Sequence, residues 1–342
     1  MRNFSPKYPE LLCSARVTIN ALVESEGARA AYIGGSLTAG LGSSLSDVDA
    51  FLLVDNHNEP STRQFYANGR RVDLRYLNVK SLETLISQCA SFHATSQDLG
   101  TLEQIGRSEL TTVVRFMLAD IIADDGILES LQNQAEAHID KIVQAILGAL
   151  SLEVQNMSED VRGFLEVGDL KAAKWVAQHA CLVAADALLA TQGDLYLGEK
   201  WVWSRWRRVF NEDFYTPVDL GASDRAAIQE SIANCQDILI RAATGQDYEQ
   251  ISVVPVGALK RPSEQSVVLI GRGALVYLGN SHAAQVSPEG LLLLGIAHGR
   301  DFHEAIQLTH RLLSIRGTRV TLDEVSAYLE ELIEIGAVST KN

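Results

Sequence analysis

The sequence predicts an α+β protein in three consecutive parts: an α/β segment over residues 1–98, a helical bundle over 99–248, and a small module of strands followed by helices over 249–342. Three observations carry this division. Short apolar runs separated by glycine fill the first part. Apolar residues recur at three- to four-residue spacing through the second. After Gly245 the composition shifts again, with Pro255, Gly257 and Pro262 punctuating a return to short β-like runs. At 342 residues, 46% hydrophobic and 21% charged, the chain can bury a sizeable core and is not of disordered composition.

The elements follow in order. From about residue 8 to 26, YPELLCSARVTINALVESEG carries helical spacing and stops at a glycine. AAYIG reads as a short strand, a glycine–serine loop follows, and VDAFLLV and RRVDLRYLNV read as two further strands. NHNEPSTRQFYANGR reads as the connection between those two, with an Asn68-Gly69 turn signal near its end. SLETLISQCA reads as a helix with a serine N-cap. The segments SELTTVVRFMLADIIADD, QAEAHIDKIVQAILGALSLEVQ, LKAAKWVAQHACLVAADALLATQG and DRAAIQESIANCQDILIRAATG are all amphipathic helices by spacing. Gly193 is the expected C-cap of the third, and Ser223 the expected N-cap of the fourth. Beyond residue 265, two or three short strands precede three short helices, the last opened by a capping box of Thr321 and Glu324.

Composition also excludes function classes. A formal charge of -14 argues against nucleic acid as the main partner, because affinity for phosphate backbones comes from clustered Lys and Arg. Cys13, Cys89, Cys181 and Cys235 are scattered and form no CxxC pair, so neither a zinc site nor a disulfide framework is expected. Cys181 reads as a small core residue. The opening MRNFSPKYPE lacks an apolar h-region, and no run approaches the roughly 18 apolar residues that span a bilayer. The expectation is a reduced, cytoplasmic protein without a membrane partner.

The chemistry concentrates in residues 31–56, AYIGGSLTAGLGSSLSDVDAFLLVDN. Alternate residues of a strand share a face, so Asp47 and Asp49 present two carboxylates side by side. Two such anions repel, and each raises the other's pKa unless a cation compensates. Mg²⁺ suits hard oxygen ligands and is held by one or two carboxylates together with substrate phosphates. Asp73, between apolar residues of the next expected strand, converges on the same point if the two strands pair. Three carboxylates so placed can hold two metal ions. The upstream Gly34-Gly35-Ser36 turn follows a strand and offers backbone N–H groups and a hydroxyl for phosphate. The alternative is a loop cap at Asp47, a solvent-facing strand residue at Asp49 and an edge-strand charge at Asp73.

This pattern of strand, GGS loop, Asp47-Val48-Asp49 and Asp73, with Gly40 as a second loop glycine, resembles the DNA polymerase β-like nucleotidyltransferase superfamily, which includes the antibiotic nucleotidyltransferases. The resemblance covers about 45 residues. It implies that Asp47, Asp49 and Asp73 are the catalytic metal ligands, with two Mg²⁺ ions as cofactor. It further implies that Gly35 and Ser36 hold the β- and γ-phosphates of a nucleoside triphosphate, by default ATP, with Ser46 also at the triphosphate. In the family a helical bundle follows and closes over the nucleotide. LYLGEKWVWSRWRR resembles a Lys-Trp element of such bundles, which implies Lys200 as a phosphate contact with Arg205, Arg207 or Arg208 as helpers. The alternative is that the tryptophans pack the bundle and the basic residues are solvated. His179 and Asp186 are acceptor-side candidates, although a lone helical histidine is more often structural.

Residues 266–342 suggest a winged helix and resemble the peptide-binding modules of ribosomal-peptide biosynthesis, which take a leader peptide as an added strand at a sheet edge. From residue 251 onward eight Lys and Arg face nine Asp and Glu, which favours a peptide or protein contact over DNA. The expected enzyme is therefore a Mg²⁺-dependent nucleotidyltransferase that moves a nucleoside monophosphate, AMP from ATP, to an acceptor hydroxyl with release of pyrophosphate. The acceptor is a ribosomally made peptide or an antibiotic-type small molecule. A non-catalytic nucleotide-binding protein on the same fold is the rival reading.

Overall fold

A computed structural model describes residues 4–54, 62–93, 102, 105–215, 224–245, 255–271, 273–279 and 282–340. The architecture is mixed α+β, and by contact density the chain divides into two compact units. The first comprises residues 1–93, 104–146 and 193–211, and the second 94–103, 147–192 and 212–342.

The first unit is built on a five-stranded sheet of order β3-β4-β2-β1-β5. Its strands are β1 (Ala30–Gly34), β2 (Val48–Leu53), β3 (Thr62–Ala67), β4 (Arg70–Leu77) and β5 (Asp120–Ala123). The β2 and β4 pair is parallel and the other pairs are antiparallel. Helix α1 (Pro9–Glu26) ends at Gly27, whose φ of 62 lets the chain turn left-handed, and it covers one sheet face. The core under it contains Leu12, Ile19, Ala31, Ile33, Val48, Ala50, Leu52, Val72 and Leu74, the alternate residues of β1, β2 and β4. Asn68 and Gly69, at φ 52 and 74, make the tight turn of the β3–β4 hairpin.

Three local expectations change. Thr62–Ala67 is a strand rather than a connection, and being mostly exposed at the sheet edge it carries no apolar alternation to announce it. Helix α3 (Val79–Ala90) starts earlier than expected, because Asn78 rather than Ser81 is its N-cap and accepts from Lys80 N–H at 2.8 Å. Helix α4 (Arg107–Met117) stops before ADIIADD, whose Asp120–Ala123 pairs with β1. The β-branched isoleucines there suit a strand, and the sheet edge beside β1 supplies its hydrogen bonds.

Helix α5 (Ile127–Ala137) and α6 (Ile139–Glu166) are separate, with His138 at the break, and the unit boundary falls inside α6. In the second unit α7 (Leu170–Thr191) packs along α9 (Arg225–Thr244), small buried residues such as Ala173, Ala177, Ala180 and Ala184 allowing close approach. Gly193, φ 86, follows the end of α7. Asp224 caps α9 by accepting from Ala227 N–H at 2.8 Å, whereas Ser223 lies outside the described residues. The sheet β7-β8-β9 (Gln265–Ile270, Gly273–Leu278, His282–Val286) precedes α10 (Pro288–Ala297), α11 (Phe302–Ile315) and α12 (Leu322–Glu334). A two-stranded ribbon, β6 (Leu259–Lys260) with β10 (Ser339–Thr340), joins the two ends of that module. The capping box of Thr321 and Glu324 is present. No helix among the described residues is long and apolar enough to cross a membrane.

Candidate active site

The sheet face opposite α1 carries the other set of alternate residues, and it is there that the charges gather. Asp49 lies in register with Gly34 of β1 on one side and Asp73 of β4 on the other, so two carboxylates from distant sequence positions stand side by side. Asp47 lies two residues before Asp49, at the entry to β2. Of the carboxylates, Asp49 is the most enclosed, with 17% of its side chain exposed. Burial raises its pKa above the ordinary carboxylate value; Arg115 and Arg75 oppose the rise, and Asp47 and Asp73 add to it.

Arginines supply the compensating charge. Arg71 donates through Nη2 to Asp47 Oδ2 and, at 3.2 Å, to Asp73 Oδ2, while its Nε lies 3.0 Å from Asp73 Oδ1. Arg115, from α4, brings Nη1 to 3.8 Å from Asp49 Oδ1. The nearby Tyr196 hydroxyl has its pKa raised by burial, with the Arg115 charge opposing the rise. Arg75 lies over the Phe51 ring at 5.9 Å. Beneath them Tyr32 is fully buried, stacked on Phe51 at 4.5 Å and edge-on to Phe116 at 5.3 Å. Its hydroxyl has no hydrogen-bond partner among the described residues.

The glycine–serine turn fits this face closely. Gly35 opens the short helix α2 (Gly35–Thr38) at φ 81, and a Cβ built on it would lie 2.0 Å from Asp49 Oδ2. Only glycine lets the Asp49 carboxylate stand against the backbone there. Ser36 is buried, and its carbonyl accepts from Leu41 N–H and Gly42 N–H, each at 2.9 Å, closing the turn. Gly40, φ 68, sits where a Cβ would meet the Ser5 carbonyl oxygen at 2.9 Å.

Asp47, Asp49, Asp73 and Gly35 are thus brought together. Ser46 is not: it shares the opposite parity with Val48, lining a small cavity on the α1 side with Ser14 and Val72, and its hydroxyl accepts from Ser43 N–H at 2.8 Å. Lys200 is exposed on the 3₁₀ turn Glu199–Trp201 of the first unit, its Nζ 5.3 Å from the Trp201 ring centre. The expected helpers Arg205 and Arg208 are committed elsewhere. Arg205 is 0% exposed and donates to the Asp194 carbonyl at 2.7 Å, with its Nε 3.2 Å from Asp194 Oδ1. Arg208 grips both Asp194 oxygens at 2.7 Å and donates to the Ala39 carbonyl at 2.8 Å. Both tie α8 (Val202–Phe210) to Asp194, and Arg208 also ties it to the turn that follows the glycine–serine loop, a structural role.

Sequence reasoning missed Arg71, Arg115, Tyr196 and Asp194. The signal for Arg71 was present: Arg71, Asp73 and Arg75 alternate along β4 and therefore share its polar face. Nothing local marks Arg115, which lies in an ordinary amphipathic helix.

The donor set fits divalent cations. Three carboxylates, hard oxygen donors, sit on one face beside a turn that only a glycine can make so close. No protein-family model matches the chain, and no curated protein matches it. A crystal structure of a nucleotidyltransferase-like protein from Exiguobacterium sibiricum is similar, with a TM-score of 0.38 and 13% identity over 67% of this chain and 76% of that one.

Proposed function

We propose that this chain is a Mg²⁺-dependent nucleotidyltransferase that moves the nucleoside monophosphate of ATP to an acceptor hydroxyl. The observation that carries the reading is the in-register pair Asp49 and Asp73 beside Gly35, whose missing side chain makes room for the Asp49 carboxylate. Asp47, Asp49 and Asp73 would hold the metal. Mg²⁺ supplies charge neutralisation and orientation of the triphosphate when bound.

The chain's own residues do the rest. The Gly35-Ser36 backbone receives the β- and γ-phosphates, and Lys200 contributes a point charge. Arg115 limits the charge that builds up around Asp49. The acceptor hydroxyl oxygen attacks the α-phosphorus and releases its proton to solvent, the bond from that phosphorus to the bridging oxygen of the β-phosphate breaks, and pyrophosphate leaves with that oxygen. Catalysis rests on positioning and electrostatics rather than on a covalent intermediate.

A peptide acceptor is favoured over a small molecule by the second unit. Two N–H groups of β7 are taken by side chains: Val267 N–H donates to Gln236 Oε1 and Leu269 N–H to Ser151 Oγ, each at 2.8 Å. At the other edge, among the described residues β9 pairs with β8 alone and exposes Ala283 and Gln285, an edge of the kind that accepts an added strand.

Incubation with Mg²⁺ and ATP labelled at the α-phosphate, with serine-containing peptides and aminoglycosides as parallel acceptors, tests both statements. Label moving to peptide in the wild type but not in Asp47→Ala/Asp49→Ala is the expected result. Pyrophosphate release unaffected by the double substitution would sink the enzyme reading, and label appearing only on aminoglycoside would sink the peptide acceptor.

A further inference from the structure

Arg71 spans two of the three carboxylates that the proposed reaction needs. Its fork reaches Asp73 through Nε at 3.0 Å and Nη2 at 3.2 Å, and the same Nη2 donates to Asp47. Asp49 stands apart from this fork and faces Arg115 instead. The two arginines differ in setting. Arg71 has 47% of its side chain exposed, whereas Arg115 has 23% and is rooted in α4.

We propose that Arg71 is a positioning residue that holds Asp47 and Asp73 together in the nucleotide-free protein and transfers its guanidinium to the triphosphate when the metal–nucleotide complex arrives. This rests on the nucleotidyltransferase reading above.

The physical case has three parts. Neighbouring carboxylates need a counter-charge at all times, and a guanidinium, which stays protonated, provides one in the absence of metal. The fork geometry that fits carboxylate oxygens fits phosphate oxygens equally, so the same group serves both states without a change of chemistry. An ion pair half open to water is weak and screened, so a divalent cation can displace it, whereas a closed pair such as Arg205–Asp194 would resist. Arg71 also lies on the same strand as Asp73, so its release requires side-chain rotation only, with no movement of the sheet.

Mn²⁺ binding followed by electron paramagnetic resonance, without nucleotide, reads the first half directly in the full chain. The second half is read by binding of Mg²⁺ with α,β-methylene ATP, which does not turn over. Arg71→Gln is expected to bind Mn²⁺ alone about 10-fold more tightly than the wild type and the nucleotide analogue about 10-fold more weakly. Arg71→Lys, which keeps the charge but loses the fork, is expected to fall between them on both scales, and it carries the test if the glutamine variant does not fold. Unchanged or weaker Mn²⁺ binding in a folded variant overturns the role of Arg71 in masking the acids. A wild type that binds Mn²⁺ but no nucleotide analogue overturns the nucleotidyltransferase reading instead, and with it the transfer to phosphate. The two failures are therefore distinct.

Discussion

Two aspartate–arginine clusters in the first unit use the same residue types for opposite ends. Around Asp194 every carboxylate oxygen is taken by Arg205 or Arg208, and both Asp194 and Arg205 are at most 1% exposed. Around Asp47, Asp49 and Asp73 the pairing is partial: Arg115 reaches Asp49 only at 3.8 Å, and Asp47 keeps 32% of its side chain exposed. A buried ion pair must be fully satisfied, because an orphaned charge in a low-dielectric interior is costly. An acidic cluster that is to accept cations must be incompletely satisfied, and retains electrostatic tension as a result. Degree of closure, more than residue identity, separates the structural cluster from the one proposed to hold metal.

Removing Asp194 strikes the closed cluster. Asp194→Ala leaves Arg205 buried with its carboxylate partner gone and is expected to cost about 3–5 kcal/mol. A lower urea midpoint followed by tryptophan fluorescence checks this, since Trp201, Trp203 and Trp206 all lie in the first unit. A midpoint equal to the wild type would erase the contrast.

The open cluster should answer in the other way. Asp47→Ala/Asp49→Ala is expected to reduce nucleotidyl transfer by roughly 10³-fold or more while leaving the unfolding free energy from urea titration within about 1 kcal/mol of the wild type. A large stability loss there would place these acids with Asp194 as structural residues.

Gly35→Ala comes next in size, because it touches both properties. The added Cβ meets Asp49 Oδ2 at 2.0 Å, and the position demands φ 81. A loss of about 1–2 kcal/mol in stability is expected from the backbone alone, together with weakened nucleotide binding by calorimetry. Normal binding with normal stability would show that the glycine is dispensable.

The smallest effect concerns pH. The folded pKa of Asp49 is raised, chiefly by burial, so the folded state binds a proton that the unfolded state releases. Stability therefore falls as pH rises from the ordinary carboxylate value through the raised one, and the cost of the ionised form persists above that window. In metal-free protein Asp49→Asn should raise the thermal midpoint at neutral pH by a few degrees, with the gain shrinking as pH is lowered towards the usual carboxylate value. A loss of stability at neutral pH would mean that Arg115 outweighs burial.

Much of this was legible in residue order. The parity of Asp47 and Asp49, the glycine-serine turn, most helices and the Thr321 capping box follow from local spacing and local hydrogen-bonding chemistry. The β3 strand was not legible, because an exposed edge strand lacks apolar alternation, and β5 was absorbed into a helix by its apolar run. Ser46, which the resemblance implies at the triphosphate, shares the parity of Val48 and lines the cavity on the α1 side.

What the sequence determined by itself is which residues of each strand share a face, since a period of two is a property of the backbone. What only the tertiary structure decided is which strands meet and with what register. The parallel alignment of Asp49 with Asp73, the fork of Arg71 across Asp47 and Asp73, and the closure of Arg205 and Arg208 on Asp194 all depend on it. A charge pairs with whatever the fold brings within a few ångströms, and that proximity joins residues far apart in the chain, where local periodicity carries no information.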